Sequence, residues 1–153
     1  MRSLYVGSIR MALFTALIGM GLMGATISLA ADGHTTTKFE GAKANKGTAT
    51  HSRQGNNDTL TWSDDYKIPD TPAPHWQVVD SKGNVYLLNQ QRIKGDKQNK
   101  SIVLPPYVQD VVKVQVWCSF AEALLGEASF SSPIQTASGE VAIMQANAMK
   151  SGR

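Results

Sequence analysis

The sequence predicts an all-β protein: an antiparallel β-sandwich in a single domain, with a short helical turn after the strand that ends near Cys118. Three observations lead there. Short runs rich in Val, Leu, Trp and Tyr recur through the middle of the chain at a spacing of roughly ten residues. The gaps between them carry Gly, Asn, Asp and Pro, the residues that build turns. The composition is 42% hydrophobic, 18% charged and 7% aromatic, which suits an ordinary globular domain rather than a disordered or collagen-like chain.

Residues 1–30 stand apart from that domain. Arg2 and Arg10 are the only charges ahead of Asp32, and an apolar stretch follows them to the small-residue ending Ser28-Leu29-Ala30. A basic start, an apolar middle and a small-residue end form a secretory signal, so the segment is expected to be cleaved. The mature protein then begins at Ala31 or Asp32, in the periplasm or outside the cell, with no membrane span left. Residues 31–46, rich in Thr, Gly, Ala and Lys, are expected to be a flexible lead-in.

Strand-sized pieces follow from residue 47 to residue 131. Segments 48–52 and 59–62 flank an Arg53-Gln54-Gly55-Asn56-Asn57-Asp58 turn. Pro69, Pro72 and Pro74 make the next segment a stiff, extended surface loop. Segments 76–79 and 85–88, on either side of Asp80-Ser81-Lys82-Gly83-Asn84, form the clearest hairpin. A strand at 101–104 stops at Pro105-Pro106. The strongest strand is 111–120, then comes the short helical turn at 121–125, and 127–130 closes the set. Residues 132–153 show only weak helical periodicity, at Val141, Met144 and Ala148, and are expected to be a flexible tail.

Charge excludes one class of partner. Without Arg2 and Arg10, thirteen basic side chains face twelve acidic ones. Lysines at 38, 43, 46, 94, 97 and 100 alternate with Gly, Asn and Asp rather than with stacking aromatics, so no nucleic-acid surface is expected.

One cysteine cannot close an intramolecular disulfide. Strand alternation places Val112, Val114, Val116, Cys118 and Phe120 on one apolar face, and Val111, Lys113, Gln115, Trp117 and Ser119 on the other. Cys118 is then either an inert core residue or a thiol or ligand to a haem or soft metal. No CxxC, CxxCH, HExxH or GxSxG occurs, so haem attachment through paired cysteines, a standard zinc site and a hydrolase elbow have no support. Of the three histidines, His51 reads as a surface residue and His75 as packing where the proline loop re-enters the sheet. His34 becomes a Cu(II) ligand if the mature chain begins Asp32-Gly33-His34, because an amine, two amides and an imidazole make a square-planar nitrogen set.

The stretch Val114-Gln115-Val116-Trp117-Cys118, then Phe120, then Leu125-Gly126-Glu127-Ala128-Ser129-Phe130 resembles the end of the DM-thirteen domain, a family of extracellular modules proposed to act in electron transfer. Gly47-Thr48-Ala49, Leu60-Thr61-Trp62, Ile68-Pro69-Asp70 and Lys94-Gly95 are similar, in that order, to the family's upstream elements. Residues 73–88 depart from its pattern. The resemblance implies that Cys118 is the redox or prosthetic-group cysteine, with Trp117 and Phe120 beside it. The expected function is thus an exported redox or electron-transfer module that meets a redox or cell-surface partner. It would be a carrier or binding module rather than a turnover enzyme. The alternative is a non-catalytic extracytoplasmic binding or adhesion domain. There Cys118 is core, and the proline-rich loop with Trp62, Tyr66 and Trp76 meets a partner.

Overall fold

A computed structural model describes residues 34–94 and 97–152. The segment 1–30 read as a secretory signal, and with it the expected mature terminus at Ala31 or Asp32, lies outside the described residues. Within them the chain is mostly strand, in two antiparallel sheets that share one core, with a single C-terminal helix.

The smaller sheet has the order β1-β2-β7, from Ala49–Gln54, Asn57–Trp62 and Ser101–Val103. The larger has the order β4-β3-β8-β9, from Val85–Gln90, Pro74–Val79, Asp110–Cys118 and Ala123–Gln135. Two short strands, β5 (Ile93–Lys94) and β6 (Lys97–Gln98), pair only with each other.

Both hairpin signals were legible; the first turn is tighter than composition suggests, and the second spans the expected residues 80–84. β1 and β2 extend until only Gly55-Asn56 joins them, with Gly55 at φ 59°. A two-residue turn with positive φ matches the strand twist, and it places Arg53 directly opposite Asp58. In the β3–β4 hairpin, Gly83 supplies φ 85° and Asp80 folds back on its own turn. Its carboxylate accepts from the Lys82 and Asn84 amides, the Asn84 side chain and the Tyr86 hydroxyl. Burial pushes that carboxyl up, but these donors outweigh it and hold it below its usual range.

The described part of the lead-in, from His34 onward, is not a loose strand of chain. Phe39 and Ala44 are buried in the core, and residues 36–44 bond both sheets, through Thr36 N to Ala49 O at 2.9 Å and Glu40 N to Glu127 O at 2.9 Å. Lys43 and Ala44 both donate to the Leu125 carbonyl, and a Cβ at Gly126 would overlap the Ala44 carbonyl oxygen. One aromatic residue sufficed to bind the segment because its backbone also finds partners in both sheets.

Residues 132–153 differ from expectation as well. β9 runs to Gln135, and Ala137–Ser151 forms helix α1. Thr136 caps it, its hydroxyl oxygen accepting from Gly139 N, while Asp58 of β2 accepts from Ala137 N at 2.7 Å. Glu140 in the first turn pairs with Arg53 at 2.8 Å. Asp58 lies seventy-nine positions from Ala137, so no local pattern shows the cap. Beyond that first turn the helix packs on little: only its Gly139 is buried.

Strand β8 alternates as expected from Val114 to Cys118, but a bulge lies between Val111 and Lys113. The bulge turns Val111 into the core and leaves Val112 half-buried, the reverse of simple alternation. The strand also ends at Cys118. Phe120, expected on the apolar face, sits in the turn 119–122 and is 77% exposed. That turn replaces the helical turn expected at 121–125. It reverses the chain through Glu122 at φ 49°, and Ala123 already belongs to β9.

Among the described residues no helix is long and apolar enough to cross a membrane.

Candidate functional sites

The first site is built around Cys118. In β8 it pairs with Pro74 of β3 on one side and Ala123 of β9 on the other, and its side chain is 0% exposed. Burial alone would raise a thiol's pKa, yet this thiol is held below its usual value. The largest cause is weak hydrogen bonding from the Ala121 backbone amide, made available by the tight turn; the backbone of Ala73 and Phe120 adds to it. Thr71 is the weakest contributor, and its buried hydroxyl makes no hydrogen bond of ordinary geometry. Thr71 and Pro74 also line a groove of about 380 Å³ beneath the proline-rich loop.

The residues expected beside Cys118 do not converge on it. Trp117 takes the opposite face of β8, opposite His75, and Phe120 is out in the turn. An unforeseen group of aromatics begins on the same face of the sheet. Trp76 faces Val116 across β3 and β8, two register positions along from Pro74 and Cys118 and so on the same buried face. From Trp76 a column of rings runs inward: Trp62 stacks on it at 3.6 Å, Tyr66 stacks on Trp62 at 4.1 Å, and Phe39 meets Trp62 edge-on at 4.9 Å. All four are buried. The expectation that Trp62, Tyr66 and Trp76 meet a partner through the loop is therefore overturned, because large aromatic faces gain more from stacking inside the core. The Tyr66 hydroxyl donates to Gln91 at 2.8 Å, and burial pushes its pKa well up.

The second site was missed by sequence reasoning. His51 is no surface residue: it is 4% exposed, on the inward face of β1 with Ala49. Its Nε2 lies 2.8 Å from Oδ1 of Asp58, itself 3% exposed, and Arg53 Nε donates to the same oxygen at 2.8 Å. Burial pushes Asp58 up, but the Ala137 amide, Arg53 and His51 together hold its carboxyl below the usual range. His34 Nδ1 reaches to 3.0 Å from His51 Nδ1. A groove of about 340 Å³ opens beside them, lined also by Arg53, Gln135 and Glu140. The signal that was available is the Gly55-Asn56 turn. Once it fixes the register, Asp58 falls diagonally across from His51. His34 itself is exposed, and the Asp32-Gly33 part of the expected copper site lies outside the described residues. His75 packs where the proline loop re-enters the sheet, its Nδ1 2.9 Å from the Ala73 carbonyl.

No family model, characterised protein or solved structure matches this chain.

Proposed function

We propose that this chain is an exported redox-associated module, secreted or periplasmic, in which Cys118 is the working group, as a thiol or as ligand to a haem or soft metal. The observation that carries the reading is a fully buried thiol at the end of β8, set against the backbone of the tight turn that follows it, with the Ala121 amide as its main hydrogen-bond partner. The thiolate is both the ligating and the oxidisable form of cysteine, and here turn amides favour it against burial. The stacked column of Trp76, Trp62 and Tyr66, which starts on the buried face that carries Cys118, supports electron exchange rather than group transfer, since electrons do not need the sulfur to be open to solvent. Export rests on the Arg-led apolar segment 1–30.

The test is an absorption and voltammetric study of protein purified from its native compartment. The reading expects a haem or metal–thiolate band, or a thiol oxidised by mild peroxide. Cys118→Ala and Cys118→Val should each abolish that signal while circular dichroism shows the fold intact. A colourless, metal-free protein with a thiol inert to peroxide refutes it.

The second reading, a non-catalytic binding or adhesion domain, is favoured by the 0% exposure of Cys118 and by Val85 and Leu87, exposed on edge strand β4. It expects the inert outcome of the same experiment.

A further inference from the structure

His34 and His51 meet nitrogen to nitrogen. Their Nδ1 atoms are 3.0 Å apart, the ring centres 5.2 Å apart and the ring planes 17° apart. Both nitrogens therefore lie between the ring centres and point at each other almost along one line. Asp58 decides what His51 presents. Its Oδ1 takes His51 Nε2 and Arg53 Nε, and its Oδ2 takes the Ala137 amide. A carboxylate with these donors only accepts, so His51 carries its proton on Nε2 and offers a lone pair at Nδ1. A proton on His34 Nδ1 closes the remaining gap.

We propose that this pair is a binding site for Cu(I), which takes the place of that bridging proton. Two opposed imidazole nitrogens satisfy a d¹⁰ monovalent cation that accepts linear two-coordination. Zn(II) asks for four ligands and Cu(II) for a tetragonal set. The pair supplies two imidazole nitrogens, and among the described residues no group of three or more His, Cys, Asp or Glu is placed to hold a metal. His34 moves its proton from Nδ1 to the outward Nε2, and none is lost overall. The entering charge meets a cluster in which Asp58 and Glu140 outnumber Arg53 by one. The carboxylate behind His51 is the usual outer partner of a ligating imidazole.

The ion requires the pair to open by about 1 Å from its 3.0 Å separation. Metal–imidazole bonds of about 2 Å require the two nitrogens to stand about 4 Å apart. His51 is fixed, but His34 is exposed, and its ring can swing back by about 1 Å into the adjoining groove. Its backbone stays in place, held by the His51 amide on the His34 carbonyl at 2.7 Å. The site owes nothing to Cys118 or to an amine at Asp32.

Cu(I) under ascorbate, and Ag(I) as its redox-silent analogue, test this by competition against a colorimetric chelator. Purified Cys118→Ser protein removes the rival soft ligand. One ion per chain should bind, and X-ray absorption should show two nitrogen neighbours and no sulfur. His34→Ala, at an exposed position, should weaken binding by about tenfold or more. His51→Gln, which keeps a donor for Asp58, should do the same with thermal melting checked alongside. An N-terminal Cu(II) chelate would instead ignore the change at His51. Absence of binding in Cys118→Ser, equal binding in His34→Ala, or a sulfur shell overturns the proposal.

Discussion

Replacing Cys118 by Ser and by Val separates an amide-stabilised thiol from a mere core residue, because the two accounts reverse the order of stability. The side chain is fully buried, so neither substitute reaches water. If Cys118 only fills space, Val is a near-isosteric apolar replacement costing below about 1.5 kcal/mol. Ser would then bury a hydroxyl without a partner, at about 1–3 kcal/mol. If the Ala121 amide leans on the sulfur, as the lowered pKa implies, the serine oxygen inherits that donor and its cost falls to about 1 kcal/mol or less. Val leaves the amide unmatched, which adds about 1–3 kcal/mol. Urea denaturation reads the difference. With m near 1–3 kcal/mol/M, a gap of about 1 kcal/mol moves the midpoint by roughly 0.3–1 M, provided the slope itself is unchanged. The expected order is wild type, then Ser, then Val. Titrating the thiolate ultraviolet absorbance of the native protein gives the companion measurement, with a midpoint below the ordinary 9.0. Val above Ser by 1 kcal/mol or more, with a thiol that titrates at or above the ordinary value, refutes the reasoning.

Three further outcomes are expected. Gly126→Ala should force the 41–44 segment off β9, costing about 1–3 kcal/mol and speeding tryptic cleavage at Lys43 and Lys46; unchanged proteolysis would mean that segment does not depend on the close approach. Glu127 is held below its usual pKa first by Lys113 and then by Gln115, so its contribution is present above pH 4.5 and lost as pH falls through the lowered value. Both partners are about a third exposed, so the advantage of wild type over Lys113→Met should stay within about 1 kcal/mol at neutral pH and vanish in acid. Mass spectrometry of the exported protein should find an N-terminus at Ala31 or Asp32, and a full-length chain recovered from membranes would refute cleavage.

What could be read from the sequence was whatever depends on near neighbours. Strand alternation put Val114, Val116 and Cys118 on one buried face, and Gly55 and Gly83 marked turns that only a positive φ permits. Those signals carry the fold class because a two-residue period and a turn conformation are local properties of the backbone. Tertiary structure decided the rest. The bulge at Val111 to Lys113 exchanged which valine is inside, and the strand's early end at Cys118 put Phe120 in solvent, although nothing in their own residues announces either. Phe39 became core and Thr136 a helix cap only because distant strands supplied partners for the backbone around them. His51 shows the same limit at the candidate site. A lone histidine in a Thr- and Ser-rich strand reads as a surface residue until the hairpin register brings Asp58 beneath it and the lead-in lays His34 on top. Burying a titratable ring is tolerable only with those partners present, and their positions are set by how the chain closes on itself.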